Sequence, residues 1–287
     1  MRKLAMEHCW RGKPVADSIL KTAANNSEAL RRRGITPKLG IVRVGARSDD
    51  LLYEKGIARA CKKGGVAMKV FPFADNISEE GFCNELSKIV TMDDLQGILV
   101  FFPLPRHISE ARVREMIPTE KDIDCLSPQS ACGVYCGSDN AFPSCTPQAV
   151  MEMLHYYGVS LEGKDVTIIG RSLVVGKPLS MLLLKENATI TLCHSRTKDL
   201  RKKTGESQIL VAALGKPRFV NRDFVSPGQI VIDVGIHEVD GIYCGDVDYD
   251  SVEPLAAAIS PAPGGVGSIT SAVLVKHTID ACMKKEA

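Results

Sequence analysis

The chain of 287 residues is long enough for about two domains of ordinary size. Hydrophobic residues make up 45% and charged residues 24%, a balance that excludes disordered, collagen-like and coiled-coil proteins. Lys and Arg total 36 against 34 Asp and Glu, so the net charge of +2 indicates neither a nucleic-acid-binding face nor a membrane-binding arm.

Targeting and metal-binding signals are weak throughout the sequence. No apolar run approaches the ~20 residues of a membrane span, and the N-terminal MRKLAMEHCWRG lacks the apolar stretch of a secretory signal. The ten cysteines are scattered, and Cys132 and Cys136, four residues apart, have no second pair of ligands. We therefore expect a cytoplasmic protein with reduced thiols and no metal site.

Strand-like and helix-like patterns alternate in the first half of the chain. Short apolar runs ended by glycine or proline predict strands, and the capped amphipathic segments between them predict helices. The expected strands are 38–45, 67–73 and 97–102, and the expected helices are 48–65 and 78–90. This alternation is typical of βαβ units on a parallel sheet.

A second α/β series follows a polar stretch, 122–144, that is expected to form a loop. Thr146 and Pro147 indicate the start of a helix that stops at Gly158, with the threonine hydroxyl as its cap. Further along, we predict four buried strands at 165–170, 188–195, 208–215 and 229–236. A hairpin turn is expected at 240–241 and a last helix at 268–285. The sequence thus predicts two α/β domains with a boundary near residue 145.

The segment GRSLVVGKP, residues 170–178, lies between a predicted strand and a predicted helix. Gly170 ends the strand, and Pro178 suits the first turn of the helix. A glycine-rich turn that presents backbone N–H groups at a helix N-terminus is suited to phosphate. Because the spacing is not the usual GxGxxG, a tight turn without a ligand stays open beside dinucleotide binding.

The next predicted strand ends in Cys193-His194-Ser195-Arg196. An NAD site usually has Asp or Glu at this point to hold the ribose hydroxyls, and none is present here. Hydroxyl and guanidinium groups suit a 2′-phosphate, and Arg171 is placed to join them. NADP is therefore expected in preference to NAD.

Nine motifs follow one another along nearly the whole chain. They are ILVFFPLP (98–105), KDID (121–124), CTP (145–147), GRSLVVGKP (170–178), CHSRT (193–197), AALGKP (212–217), VIDVGI (231–236), GDV (245–247) and PAPGGVGSIT (261–270). In content and order they resemble the methylenetetrahydrofolate dehydrogenase/cyclohydrolase family.

The resemblance implies a two-domain α/β fold with a cleft between the domains. Residues 1–145, with a C-terminal helix at 270–287, would form a folate-binding catalytic domain. Residues 146–269 would form an NAD(P)-binding domain with a Rossmann-like, doubly wound parallel sheet. The family is usually a homodimer. It oxidises 5,10-methylenetetrahydrofolate with NAD(P)⁺ and hydrolyses the resulting methenyl cation to 10-formyltetrahydrofolate, without a metal.

The same resemblance assigns roles to individual residues. Tyr53 would stack on the folate rings, and Asp124 would hydrogen-bond the pterin edge. Further folate contacts are expected from Phe101, Pro103, Pro263, Gly264 and Gly265. Cofactor contacts are expected from Thr146, Gly170, Arg171, Ser172, Gly176, Pro178, Ser195, Arg196, Gly215 and Ile236.

Two departures from the family pattern coincide in the folate site. The register of the substrate helix puts Ile57 where the family has lysine, and Phe101 stands where it has the glutamine that contacts that lysine. Lys55 is only two residues from Tyr53 and points to a different helix face. Hydrolysis of the methenyl cation needs a proton-transfer group, whereas hydride transfer needs mainly orientation.

Two smaller departures are Cys125, where the family has glycine, and Ser144, where it has proline. We expect an NADP-dependent methylenetetrahydrofolate dehydrogenase whose cyclohydrolase activity is lost or strongly weakened. One alternative is the ordinary bifunctional enzyme, which would need another base and a helix distorted near Gly56. The other is a non-catalytic folate- and nucleotide-binding protein.

Overall fold

The structure is a computed structural model that describes residues 8–285, and these form two compact units. One unit contains the described residues up to Ala16 together with Thr146–Thr270, and the other contains Asp17–Cys145 together with the described residues from Ser271. Residues 8–16 were expected in the same domain as residues 17–145, but they belong to the unit that contains Thr146–Thr270. The Trp10 N–H donates to the Ile259 carbonyl at 2.8 Å, and the Gly12 N–H donates to the Gly264 carbonyl at 2.9 Å.

Helices and strands alternate along most of the described chain. The helices are α1 (Gly12–Arg32), α2 (Ser48–Gly64), α3 (Glu79–Val90), α4 (Glu110–Glu115), α5 (Pro128–Tyr135), α6 (Cys145–Tyr156), α7 (Gly176–Lys185), α8 (Leu200–Gly205), α9 (Tyr249–Val252) and α10 (Thr270–Lys285). The strands are β1 (Lys38–Val44), β2 (Ala67–Phe73), β3 (Gly97–Val100), β4 (Asp165–Ile169), β5 (Thr189–Cys193), β6 (Ile209–Ala212), β7 (Ile230–Asp233), β8 (His237–Val239), β9 (Ile242–Cys244) and β10 (Ala258–Ile259).

The unit that contains Asp17–Cys145 is built on a three-stranded parallel sheet in the order β2-β1-β3. All four residues of β3 are buried, which explains its unbroken apolar sequence. A core on this sheet includes Val42, Phe82, Leu86 and Val100. The carboxyl ends of β1 and β3 lie side by side, so the residues that follow them are neighbours in space.

The unit that contains Thr146–Thr270 has a five-stranded parallel sheet in the order β10-β7-β6-β4-β5. The chain passes from β4 to β5 on one side and then returns to β6 on the other side of β4. Such a reversal of strand order opens a crevice at the carboxyl ends of the strands, where nucleotides bind in doubly wound sheets. The expected α/β fold with a Rossmann-like, doubly wound sheet is confirmed.

Several expected elements differ from those in the structure. The stretch 122–144 is not all loop, because Ser127 caps α5 and accepts the Ser130 N–H, with Pro128 in the first turn. Thr146 is not a helix cap, because α6 already begins at Cys145. Each expected buried strand is one or more residues too long, since the apolar run continues after the strand pairing ends.

Within residues 8–285, no helix combines the length and apolarity needed to cross a bilayer. None of the ten cysteines forms a disulfide bond, and six of them are buried. The expected pattern of reduced thiols in apolar surroundings therefore holds for most of them, while Cys132 and Cys136 are exposed.

Candidate active site

Helix α2 carries Tyr53 and Ile57 one turn apart on the same face. The helix is unbroken from Ser48 to Gly64, so Gly56 introduces no distortion. Ile57 is 0% exposed, whereas Lys55 is exposed and lies on another face. The register inferred from the sequence is therefore the register of the helix, and no lysine occupies the position one turn after Tyr53.

Phe101 follows the last residue of β3 and faces Tyr53. Its N–H donates to the Val42 carbonyl at 2.9 Å, which extends the pairing of β3 with β1 by one residue. The two ring centroids are 5.5 Å apart with planes tilted by 32°, within the range of a favourable aromatic pair. Phe101 is only 5% exposed, so the positions of the family's lysine and glutamine hold two buried apolar side chains.

An ion pair that the sequence did not reveal connects α2 to β1 beside Tyr53. Arg43 Nε donates to Glu54 Oε2 at 2.9 Å, and both side chains are mostly buried. The Arg43 guanidinium also donates to the Gly45 carbonyl. A charge-assisted contact of this kind fixes the helix on the sheet and with it the direction of Tyr53.

Asp124 lies in the loop between α4 and α5. Its Oδ1 accepts the N–H of Cys145 at 2.7 Å. Burial raises the pKa of the Asp124 carboxyl from 3.8 to about 6, although the contact with Cys145 acts in the opposite direction. Burial also raises the pKa of the Tyr53 phenol well above 10, and the nearby Cys145 and Asp124 add to this effect. Tyr53 and Asp124 therefore share one partly buried environment.

Cys145 is a member of this site that the sequence indicated only through the CTP motif. Its thiol is buried and lies 3.7 Å from the Ile123 carbonyl. Burial raises the pKa of this thiol well above 9, with a further contribution from Asp124. The thiol therefore stays protonated and acts as a weak donor rather than as a nucleophile.

The backbone at Cys125 explains why the family has glycine at this position. Its φ of 56° lies in the left-handed region, which a side chain with a Cβ occupies at a cost. Asp122 stabilises the turn, because its buried carboxylate accepts the N–H groups of Leu126 at 2.8 Å and Ser127 at 2.7 Å. Ser144, the other small departure, is buried.

The turn after β4 is closed so tightly that two of its residues must be glycine. A Cβ on Gly170 would overlap the Ala213 carbonyl oxygen, and a Cβ on Gly176 would overlap that of Gly170. Between them, Arg171 and Ser172 are exposed, and Ser172 Oγ accepts the Val175 N–H at 3.0 Å. Helix α7 begins at Gly176, which places Pro178 in its first turn.

Ser195 and Arg196 lie in the turn after β5, next to the Gly170 turn. The strands β4 and β5 pair up to their last residues, and the Gly170 N–H donates to the Cys193 carbonyl at 2.9 Å. The turn is held by Thr197 Oγ1, which accepts the His194 N–H at 2.8 Å. Both expected cofactor side chains are exposed on it, and residues 194–197 include no carboxylate.

The remaining expected cofactor residues lie on three other segments of the same unit. Thr146 is in the first turn of α6, Gly215 follows β6 with φ of 70°, and Ile236 follows β7 with 60% of its surface exposed. Gly215 follows β6, which borders the sheet's point of reversal, and Ile236 follows β7, the next strand on the same side. The contacts of these three residues with a nucleotide stay predictions.

The turn 263–265 needs its glycines for reasons internal to the protein. Gly264 has φ of 98°, and a Cβ on Gly265 would overlap the Pro261 carbonyl oxygen. Pro263 and Gly264 are exposed, while Gly265 is buried. Gly265 therefore packs closely against the chain itself, and its expected approach to a ligand stays a prediction. Like Pro103, which is exposed after β3, these residues have no tested role in binding.

Among residues 8–285, no group of three or more His, Cys, Asp or Glu side chains is arranged to hold a metal ion.

Comparison with known proteins gives consistent matches over both units. Residues 10–124 match the catalytic domain, and residues 144–286 the NAD(P)-binding domain, of tetrahydrofolate dehydrogenase/cyclohydrolase. The "Bifunctional protein FolD" of Carboxydothermus hydrogenoformans is 52% identical over 94% of this chain and 96% of the relative. That of Alkaliphilus oremlandii is 50% identical over 96% of this chain and 98% of the relative.

Solved structures agree with these sequence matches. The bifunctional enzyme FolD of Campylobacter jejuni has a TM-score of 0.93 and 34% identity, covering 96% of this chain and 99% of that one. The Trypanosoma brucei enzyme, in complex with NADP cofactor and an inhibitor, has a TM-score of 0.90 and 32% identity, covering 97% and 98%. The chain belongs to the tetrahydrofolate dehydrogenase/cyclohydrolase family.

Proposed function

We propose that this protein oxidises 5,10-methylenetetrahydrofolate to 5,10-methenyltetrahydrofolate with NADP⁺, as a step of one-carbon metabolism. The observation that carries the proposal is the closed backbone at Gly170 and Gly176, which retains a turn suited to a dinucleotide. The names of the relatives, which include dehydrogenase activity, support it.

The residues of this chain have simple tasks in the proposed reaction. Tyr53 offers a ring for stacking on the folate, and Asp124, ionised above a pKa of about 6, accepts hydrogen bonds from the pterin edge. The dinucleotide supplies the hydride acceptor. Because hydride transfer moves no proton to the protein, orientation of the two reactants is the main requirement, and the apolar pair at Ile57 and Phe101 does not obstruct it.

For the hydrolytic step, the names of the relatives and the structure of helix α2 favour different conclusions. The relatives at 50% identity or more are named bifunctional, which supports the bifunctional alternative more directly than it supports loss of the activity. The buried Ile57 and the unbroken helix α2 favour loss, because the position one turn after Tyr53 offers no proton-transfer group. We therefore propose the dehydrogenase activity first and a bifunctional enzyme with a different base as the second candidate.

The preference for NADP over NAD rests on the turn after β5. Ser195 and Arg196 are exposed there, and neither carries the negative charge that would repel a 2′-phosphate. The Trypanosoma brucei relative was solved with NADP. Arg196→Ser should raise the KM for NADP⁺ about tenfold and leave the KM for NAD⁺ within twofold, because the lost charge faces only the 2′-phosphate.

We also propose that the protein is a cytoplasmic homodimer. The β8–β9 hairpin supports the dimer, since Val239, Ile242 and Tyr243 are exposed apolar residues on it. Within the described residues this hairpin pairs with no other strand. An exposed two-stranded ribbon with apolar side chains is a suitable surface for pairing with a second copy. Light scattering of the purified chain would distinguish one copy from two.

A single preparation tests the proposed function. The purified chain is supplied with 5,10-methylenetetrahydrofolate and NADP⁺, and methenyl formation is followed by absorbance. Decay of added methenyltetrahydrofolate is compared with the uncatalysed decay. Formation without accelerated decay supports a monofunctional dehydrogenase, and formation with accelerated decay supports the bifunctional candidate. No formation with NADP⁺ or NAD⁺ would overturn both in favour of a non-catalytic binding protein.

A further inference from the structure

Asp246 is a fully buried carboxylate that collects hydrogen bonds from a turn far away in sequence. Its Oδ2 accepts the N–H groups of Leu214 at 2.7 Å and Gly215 at 3.0 Å, and its Oδ1 accepts that of Lys216 at 2.8 Å. Three converging N–H groups on one buried carboxylate form a strong, directional contact. The turn after β6 is therefore shaped by Asp246.

The same carboxylate also holds the segment after β7. His237 Nε2 lies 2.8 Å from Asp246 Oδ1, and the imidazole is only about one-fifth exposed. His237 directly follows Ile236 in the chain. Asp246 thus connects the two segments that carry Gly215 and Ile236, although these residues are 21 positions apart in the sequence.

A second buried carboxylate fixes Asp246 in its turn. Asp233 Oδ1 accepts the Asp246 N–H at 3.0 Å, and Asp233 Oδ2 accepts the Val247 N–H at 3.0 Å. Burial raises the pKa of Asp233 to about 7, and the adjacent Asp246 contributes in the same direction. Near neutral pH the two carboxylates therefore avoid carrying two full charges at close range.

Two glycines make room for this arrangement. A Cβ on Gly235 would overlap the Asp246 carboxyl group, and a Cβ on Gly245 would overlap that of Asp233. The motifs VIDVGI and GDV thus encode a single packed polar cluster rather than two separate features. A cluster that is buried, fully hydrogen-bonded and enclosed by glycines has one geometry, so it can set the positions of the segments attached to it.

We propose that Asp246, through the Leu214–Lys216 turn and His237, is a positioning residue that holds Gly215 and Ile236 against the dinucleotide. The inference rests on the proposed function, because it assumes that a dinucleotide lies at the carboxyl ends of β4, β6 and β7. In a sheet of this topology, the segments after β6 and β7 lie on the opposite side of the reversal from β5. Ser195 and Arg196, which follow β5, would contact the 2′-phosphate. Gly215 and Ile236 would then contact the other half of the cofactor.

The experiment compares two replacements of His237 in the full chain. His237→Gln keeps an N–H donor at nearly the same reach, whereas His237→Leu removes the donor. We expect His237→Leu to weaken NADPH binding, measured by fluorescence titration, about tenfold, and His237→Gln to stay within about twofold of wild type. The KM for the folate should be unchanged in both variants, and the KM for NADP⁺ should follow the NADPH affinity.

Asp246→Asn is a stronger test of the same idea. The amide group cannot accept all the N–H groups that the carboxylate accepts, so the affinity for NADPH should fall roughly 10- to 100-fold. The control is Glu238→Gln, on the exposed neighbour of His237, which should bind as wild type does. If Asp246→Asn does not fold, the two His237 variants still decide the matter.

The outcomes separate the inference from the function on which it rests. If the wild-type chain binds neither NADPH nor NADH, the proposed function falls. If the wild type binds NADPH and His237→Leu binds equally well, the positioning role of this contact is wrong. Loss of folate and cofactor affinity to the same extent would indicate a general structural role and would also overturn the inference.

Discussion

The turn after β4 and the cluster around Tyr53 depend on sequence in different ways. At the turn, Gly170 and Gly176 are demanded by the backbone, because any side chain would overlap a carbonyl oxygen of the protein. At the cluster, helix α2 is regular with Ile57 at the position where the family pattern has lysine, so the helical backbone does not require a particular side chain there. The comparison teaches that the backbone enforces the glycines of this turn, whereas it accepts an apolar side chain one turn after Tyr53.

The largest effect should come from a methyl group at the turn. In Gly176→Ala, the new Cβ overlaps the Gly170 carbonyl oxygen, so the turn must open. We expect dehydrogenase activity to fall about 100-fold or more, because misplacement of a bound reactant by ~1 Å has effects of this size. NADPH titration and the initial rate of methenyl formation measure the loss.

Gly158→Ala is the matched control for this variant. Gly158 has φ of 76°, but a Cβ there has no heavy atom within 4 Å. The control should lose about 1 kcal/mol of unfolding free energy and keep its affinity for NADPH. Equal losses of affinity in both variants would break the comparison, since the effect would then follow stability alone.

A gain-of-function experiment tests the cluster around Tyr53. If the apolar pair abolishes hydrolysis, the double variant Ile57→Lys, Phe101→Gln should accelerate methenyltetrahydrofolate decay roughly 10- to 100-fold, within the usual range for general acid–base groups. Burial at this position would lower the pKa of the new lysine, as a base near neutral pH requires.

The single variant Ile57→Lys shows whether the two replacements act together. Ile57→Lys without Phe101→Gln should gain less, because the lysine then lacks its polar neighbour. If the wild type already accelerates the decay and the double variant adds nothing, another residue supplies the base and the bifunctional candidate is correct.

A pH profile examines Asp124, the carboxylate for which we propose contact with the pterin. Burial raises the pKa of Asp124 to about 6, so its carboxylate accepts hydrogen bonds above pH 6 and becomes protonated below it. The KM for the folate should therefore rise about tenfold between pH 7 and pH 5, and Asp124→Asn should have a high KM without this rise.

The stability of the fold should respond to the same group with a defined sign. Because the folded pKa of Asp124 lies above the ordinary value of 3.8, the folded chain binds this proton more tightly than the unfolded chain. The contribution of Asp124 to stability thus decreases as the pH rises from about 4 to 6. Asp124→Asn should lack this component in urea unfolding at a series of pH values. An unchanged pH dependence in the variant would contradict the assignment.

Local patterns in the sequence revealed most strands but not the contacts that organise the site. Runs such as GILV and the first three residues of IVID are apolar because their strands are largely buried, and this signal is contained in consecutive residues. Helix α1 was not predicted, since the polar segment Ala24-Asn25-Asn26-Ser27 conceals its periodicity. The hydrogen bonds of Asp246 to the Leu214–Lys216 turn join residues about 30 positions apart, and no local pattern encodes such a pairing.

The smallest effect concerns Cys125, where a glycine of the family has been replaced at a tolerable cost. Its φ of 56° costs a residue with a Cβ roughly 1–2 kcal/mol. Replacement by glycine would remove this cost but would offset part of the gain, because glycine loses more conformational freedom on folding. We expect Cys125→Gly to raise the unfolding free energy by about 1 kcal/mol in urea titration. Cys132→Gly, the matched control in helix α5, should lower it by about 0.3 kcal/mol, because helical backbone disfavours glycine slightly more than cysteine. The same exchange with opposite signs at two sites would show that backbone conformation, rather than loss of the thiol, decides the result. A decrease at both sites would mean that contacts of the Cys125 thiol outweigh the strain, and the loop that contains Cys125 would then resemble the turn at Gly170 in depending on one residue type.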